Sequence, residues 1–381
     1  MIPYGRQFID EDDIDAVVEI LQSDWLTTGP RVGEFEQAFA DFVHAREAVA
    51  VSSGTAALHA AMFALDIGPG DEVIVPAMTF AATANCVVYQ GAAPVFVDVD
   101  PGTLVISPER VKAAITARTK AVIAVDYAGQ PADYDRLRSI TEQHGIALVA
   151  DACHSPGGSY KDRLVGSLAD LNAFSFHPVK HIATGEGGMI TTDNPQLAER
   201  MRRFRNHGIT TDHRQREKQS SWFYEMVDLG YNYRITDLQC ALGLSQLKKL
   251  PLFLKQRRKI ARAYDDAFGE TAEINPLAVS ADVGHAYHLY VIRLQSAGLD
   301  IDRNGLFQAL RQKGIGVNVH YIPVHLHPFY RKQFDTRPGL CPVAEEAFEQ
   351  ILSIPMFAAM SQEQTIEVIG LLNATVVEHR R

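Results

Sequence analysis

Four groups of polar side chains stand immediately after apolar, β-type runs: Ser52-Ser53-Gly54-Thr55, Asp126-Tyr127, Asp151-Ala152-Cys153-His154 and Ser175-Phe176-His177-Pro178-Val179-Lys180. Ligands of open α/β sheets bind beyond the carboxyl ends of the strands, so the placement predicts one polar edge. Ser53-Gly54-Thr55 runs straight into a helical pattern, where free backbone N–H groups, two hydroxyls and the positive helix end would cup an anion. The segment matches neither the dinucleotide nor the Walker glycine pattern, so those phosphate sites have no support here. Asp151 closes the apolar run Ile146-Ala147-Leu148-Val149-Ala150. A carboxylate there is partly desolvated and costly unless it meets a positive partner. Lys180 follows the apolar turn His177-Pro178-Val179 and precedes the glycine-rich bend Thr184-Gly185-Glu186-Gly187-Gly188. In such surroundings the neutral amine is favoured and can act as a nucleophile.

Each group has a plainer reading when taken alone. Ser or Thr before a helix is ordinarily an N-cap, an Asp after a strand a cap or ion-pair partner, and a Lys a surface residue. Together they form the set that pyridoxal phosphate (PLP) requires: an anion cup for its phosphate, a lysine for its aldehyde and an acid for its pyridine nitrogen. The protonated ring then accepts a carbanion's electrons. Phe80 is placed to lie against one face of the ring and His154 against the other side, although either alone reads as packing.

The elements that must position these groups alternate. Helical patterns cover residues 10–22 and 33–43. Strands at 48–52, 72–76, 94–97, 120–125 and 147–150 are then separated by helices at 79–89, 108–115 and 133–144, with further strands at 172–176 and 189–192. The alternation predicts an α/β fold, a mostly parallel sheet covered on both faces. Residues 209–229, crowded with charged and polar side chains before Trp222, Phe223 and Tyr224, read as a solvated loop. Two long helices, 236–248 and 253–268, lead into a different pattern: strand 287–294, helix 303–313, strand 316–320 and a last helix from Gln362. This is an α+β arrangement, so the expected division is a large cofactor-binding domain, 1–250, whose segment 1–32 lines the site, and a small C-terminal domain, 251–381.

Composition bounds the function. The 381 residues are 46% hydrophobic and 22% charged, ordinary globular values. A net charge of −10 lacks the basic footprint of a nucleic-acid binder, and no long uninterrupted apolar run suggests a membrane span. Cys86, Cys153, Cys240 and Cys341 are scattered without CxxC spacing, which excludes zinc-ribbon and disulfide-framework readings. The N-terminus lacks the basic and apolar regions of a signal peptide, so a cytoplasmic protein is expected. His320, His325 and His327 invite a metal reading, but substrate contact or packing is the better one and no metal is expected.

Four blocks carry a resemblance: Ser53-Gly54-Thr55-Ala56-Ala57-Leu58, Thr79-Phe80-Ala81-Ala82-Thr83-Ala84-Asn85, Ser175 to Lys180 with Glu186-Gly187-Gly188, and Tyr231-Asn232-Tyr233-Arg234. They resemble the signature blocks of the DegT/DnrJ/EryC1/StrS aminotransferases, PLP enzymes of the aspartate-aminotransferase (type I) fold that aminate nucleotide-linked keto sugars. The similarity runs from Tyr4 to about Pro355. Within the family, Val125-Asp126-Tyr127-Ala128-Gly129, the Ser-Phe-His start of the lysine block and Leu242 to Lys249 look most like the pseudaminic-acid branch. That branch makes UDP-4-amino-4,6-dideoxy-N-acetyl-β-L-altrosamine from the matching 4-keto sugar, with L-glutamate as amino donor; perosamine and bacillosamine-type relatives share most blocks.

The resemblance implies roles by position. Lys180 would be the Schiff-base lysine and Asp151 the partner of the pyridine nitrogen; Gly54, Thr55 and Ser175 would bind the phosphate, Phe80 would stack on the ring and His154 would contact the cofactor. Asn232 matches a residue that reaches the phosphate from the neighbouring subunit, implying a homodimer with shared sites. Tyr4, Asp24, Trp25, Leu26, Thr27 and Val319-His320-Tyr321-Ile322 match stretches that line the nucleotide-sugar pocket. PLP-dependent sugar dehydratases of the family place His where Lys180 stands. A PLP-sensing regulator would want a basic DNA-binding head. An amino-acid aminotransferase would want a late Arg for the α-carboxylate, where this chain has His320-Tyr321.

Overall fold

In the computed structural model, which describes every residue except Asp212, Gln219 and Glu270, the strands in chain order are β1 (Glu47–Val51), β2 (Glu72–Pro76), β3 (Ala93–Val97), β4 (Thr119–Val125), β5 (Ala147–Asp151), β6 (Ser159–Tyr160), β7 (Arg163–Leu164), β8 (Leu171–Ser175), β9 (Gly188–Thr192), β10 (Ile274–Pro276), β11 (Val283–Gly284), β12 (Tyr290–Leu294) and β13 (Ile351–Ile354). The main sheet has the order β1-β9-β8-β5-β4-β2-β3. Its pairs are parallel except the two that β9 makes with β1 and β8. The mostly parallel α/β architecture expected from the alternation is therefore present. Strands such as Val73-Ile74-Val75 and Leu148-Val149-Ala150 are wholly buried, as a sheet covered on both faces requires.

A second core gathers around the antiparallel sheet β10-β12-β13 and the helices Arg303–Gln312 and Gln362–Glu378. Ile2 joins this core and is held there by a parallel bridge to Ile315.

Three local expectations need correction. The helices at 236–248 and 253–268 are one helix, Asp237–Phe268, with Pro251 inside it. Pro251 removes one backbone donor, but Leu247, Leu250, Phe253 and Leu254 are buried on either side of it, and packing outweighs the local break. The helix starts under a capping box of Thr236 and Gln239. It runs on from the first core, which holds Leu254, to the second, which holds Ile260 and Tyr264. Residues 316–320 form no strand; Asn318 makes only an isolated bridge to Ser353. The strand expected from 287 begins at Tyr290 because Tyr287 is left-handed, with φ 52°. Segment 209–229 is a surface excursion, as its composition suggests, but it contains the helix His213–Lys218 and is pinned by a bridge from Ile209 to Met226.

Candidate active site

The helix Gly54–Ala64 begins where β1 ends, and Ser53 Oγ accepts the Ala56 N–H at 3.1 Å. That cap leaves the first N–H groups of the helix facing outward. A Cβ on Gly54 would lie 2.8 Å from Ser175 Cβ and 3.1 Å from Cys153 Sγ, so only glycine lets the helix start this close to the ends of β8 and β5. Gly188 is under the same constraint, since its Cβ would meet the Ser53 carbonyl at 2.4 Å. The glycine-rich bend thus serves to seat β9 under the anion cup.

Asp151, at the last position of β5, is 6% exposed. Thr83 Oγ1 donates to its Oδ2 at 2.7 Å and the Cys153 N–H donates to its Oδ1 at 3.3 Å. Thr83 Oγ1, in the first turn of the helix Ala81–Tyr89, lies 2.7 Å from Oγ1 of Thr79, which stands just before that helix. Lys180 reaches the same cavity from the turn after β8, its Nζ 3.5 Å from His288 Nε2. Burial holds its amine below the ordinary lysine range, against the opposing pull of Cys153 and Asp151. His154 places Nε2 3.0 Å from Tyr321 Oη, and its ring centroid lies 4.3 Å from that of His288. Burial, then the charge of Lys180, pushes both imidazoles well below their usual range, so both are neutral.

These groups enclose a cavity of about 540 Å³. Of the residues singled out in the sequence, Tyr4, Gly54, Thr55, Phe80, Asp151, His154, Ser175, Lys180, Val319, His320 and Tyr321 all line it. Phe80 stands at the mouth, 58% exposed, its ring 5.9 Å from that of Tyr321. His320 places Nδ1 2.8 Å from Ser353 Oγ and is lowered to about 4 by burial and by Lys180. Asp24, Trp25, Leu26, Thr27, Asn232 and Ile322 do not border this cavity within one chain. Thr27 bridges Thr236, Asn232 bridges Asn206, and Ile322 is exposed.

Asp126 belongs to the support rather than the edge. It is fully buried and accepts from Ser155 Oγ (2.5 Å), Tyr134 Oη (2.8 Å) and the Ala132 N–H (3.0 Å). Burial pushes its acid up to about 7. His325 is likewise committed, with Nε2 2.9 Å from Glu345 Oε1, which also accepts from the Gly339 and Cys341 N–H groups. No cluster of three or more His, Cys, Asp or Glu with metal-ligand placement occurs among the described residues. The same residues contain no helix long and apolar enough to cross a membrane.

Two contributors escaped the sequence reading. Thr83 is in a quoted block, and its spacing from Thr79 was the available signal. His288 stands before a strand of the second sheet, where a search of carboxyl ends could not find it.

Comparison with known proteins decides the family: the model for the DegT/DnrJ/EryC1/StrS aminotransferase family matches residues 7–373. The chain belongs to that family. Spore coat polysaccharide biosynthesis protein SpsC of Bacillus subtilis is 43% identical over 370 residues, 97% of this chain and 95% of that protein. Spr1654 of Streptococcus pneumoniae, assigned as a sugar aminotransferase and solved in its PMP form, superposes with a TM-score of 0.94 at 34% identity, covering 99% of this chain and 100% of that one. Helicobacter pylori PseC, an aminotransferase involved in the biosynthesis of pseudoaminic acid, gives a TM-score of 0.92 at 30% identity over 99% of both chains. The type I PLP fold and a sugar aminotransferase class follow, and PLP is the cofactor. The donor set fits it: a helix amino end too tight for any Cβ at Gly54, a carboxylate held by Thr83, and a desolvated amine share one cavity.

Proposed function

We propose that this sugar aminotransferase moves the amino group of L-glutamate to C4 of a nucleotide-linked 4-keto-6-deoxy sugar, a UDP-4-keto-6-deoxy-N-acetyl-L-altrosamine type compound, and works as a cytoplasmic homodimer. The observation that carries the reading is the meeting, in one cavity, of the Lys180 amine and the Asp151 carboxylate, with Tyr4, Phe80, His320 and Tyr321 lining the same space. Bound PLP supplies an aldehyde that carries nitrogen and a ring that accepts electrons.

The chain's own residues do the rest. The amino end of the helix Gly54–Ala64, with Thr55 and Ser175, holds the phosphate. Asp151, fixed by Thr83, keeps the ring nitrogen protonated. Lys180 is the residue that would hold the aldehyde at rest. Once released, its neutral amine moves the proton at sugar C4 as general base and acid. Phe80 and His154 confine the ring from two sides. Tyr4 and Val319 to Ile322 orient the ketone by gripping remote parts of the substrate, whose binding energy is then spent on alignment. Asp24 to Thr27 and Asn232, which stand outside a single chain's cavity, complete the site of the other copy.

PseC supports the altrosamine-type substrate. The higher identity to SpsC favours a second reading, another 4-keto sugar destined for a surface polysaccharide, of the GDP-perosamine or UDP-bacillosamine kind. The test is incubation with L-glutamate and a panel of UDP-, GDP- and dTDP-linked 4-keto sugars, read by product mass and sugar NMR. Amination of the altro-configured UDP sugar is expected. Amination of a different sugar alone moves the function to the second reading, and amination of none refutes both.

A further inference from the structure

We propose that His288 is a further catalytic residue: whenever the Lys180 nitrogen is not bonded to the cofactor aldehyde, His288 Nε2 accepts a hydrogen bond from it and fixes the direction of its lone pair. The inference rests on Lys180 being the amine that holds PLP, and deepens that site.

The contact itself is 3.5 Å from Nζ to Nε2. Contacts of this kind are long in cofactor-free geometry and shorten when the site is loaded. His288 is 4% exposed, borders the cavity, and its Nδ1 has no partner among the described residues. With Nε2 as the acceptor of the amine N–H, the neutral ring carries its hydrogen on Nδ1. Around Lys180 stand Asp151, Cys153, His154, His181, His288 and His320. Burial keeps the imidazoles among them neutral, so His288 meets the amine without charge repulsion. Of these rings, the one with a polar atom in reach of Nζ is His288.

The backbone around His288 is held by hydrogen bonds from two sides. Arg257, from the long helix, donates from Nη1 to the carbonyls of Tyr287 (3.1 Å), His288 (3.2 Å) and Met356 (3.0 Å). Ala286 and Leu289 donate their N–H groups to the carbonyls of Gly129 and Ala128, at 2.9 and 3.1 Å. Between them Tyr287 is held at φ 52°, a conformation a bulky residue keeps only where its surroundings over-determine it. The second core thus delivers one side chain, at a fixed height, to the reacting nitrogen of the first.

Capture of the aldehyde forms a C=N bond between Lys180 Nζ and the aldehyde carbon, and the aldehyde oxygen leaves as water with both amine hydrogens. No oxidant or reductant enters. His288 acts before this step, by presenting the lone pair to the carbon.

The experiment mixes cofactor-free full-length protein with PLP and separates non-covalent binding from the first-order capture that follows, trapped by borohydride and read as a mass gain on the Lys180 peptide. For H288F, capture is expected to slow about tenfold, the scale of one lost hydrogen bond, with non-covalent PLP affinity unchanged. H288Q, whose amide reaches the place of Nε2, should restore capture to within about threefold of wild type. Wild-type capture in H288F, or capture in H288Q as slow as in H288F, overturns the proposal. If H288F does not fold, H288N decides, because its shorter amide cannot reach Nζ: slowed capture supports the role and wild-type capture overturns it. No sugar or glutamate is present, so a wrong substrate assignment leaves this result standing, whereas a wild-type protein that never captures PLP overturns the reading of Lys180 itself.

Discussion

At the floor of the cavity Asp151, His154 and His288 are enclosed, each held by a neighbour from a different element, and Lys180 lines the same space. Along residues 222–231 the terms are reversed. Trp222 is 84% exposed, Leu229 76% and Met226 66%, with Phe223, Tyr224 and Val227 open beside them. So much apolar surface on one excursion marks a place where something else is meant to lie. The lesson is one of division: the groups proposed to make bonds are assembled within a single chain, whereas the same chain leaves this apolar stretch uncovered.

The strongest way to break that division is at the floor. Lys180→Ala should lower transfer by at least ~10³-fold while the protein still binds pyridoxamine phosphate non-covalently, seen by equilibrium dialysis. Surviving turnover would place the chemistry elsewhere. Asp151→Asn should cost ~10²-fold in turnover at unchanged fold, measured by steady-state kinetics beside circular dichroism.

Buried histidines, in the floor and elsewhere in the chain, dictate how the molecule responds to acid. Burial lowers His59, His154, His181, His285, His288 and His320 below their ordinary 6.5. The stability they contribute is complete above 6.5 and is lost as pH falls, because the unfolded chain takes up protons the folded one refuses. Asp126, raised to about 7, acts oppositely, giving stability at low pH that is lost as pH rises from 3.8 through about 7. Six groups outweigh one. The unfolding free energy of the cofactor-free protein should therefore drop between pH 6.5 and 5 at a multiple of the ~1.4 kcal/mol per pH unit that one proton gives, read as a steep fall in melting temperature.

The rim is tested more gently. Asn232→Ala should weaken PLP binding about tenfold. If sites are shared, mixing it with Lys180→Ala protein should regenerate one intact site per mixed dimer and recover activity above either parent. Recovery that never exceeds the sum of the parents would leave Asn232 without a role across the interface. The smallest effect expected is that of Thr83→Val, about threefold in turnover, since Asp151 keeps its backbone donor from Cys153.

How far the sequence could be read follows the same division. Strand runs such as Leu148-Val149-Ala150 and the polar groups after them announced the sheet and its chemical edge, because hydrophobic periodicity and strand ends are local properties. Thr83 was missed because a threonine in a helix ordinarily bonds its own backbone. His288 was missed because its approach depends on how the second core docks, which no local pattern records. Pro251 misled, since the burial that carries the helix through it comes from residues distant in sequence. The carry-over of Asp24 to Thr27 and Asn232 rests on resemblance alone, for a single chain holds them away from its cavity.

The helix Asp237–Phe268 has a mechanical consequence. Its first half is embedded in the first core and the end of its second half in the other, and Arg257 ties strands of loop to it with three carbonyl bonds. A single rod shared by two bodies couples them like an axle, so heating should give one calorimetric transition instead of two, and a cavity enlarged in the far core should be felt as a looser grip on vitamin B6.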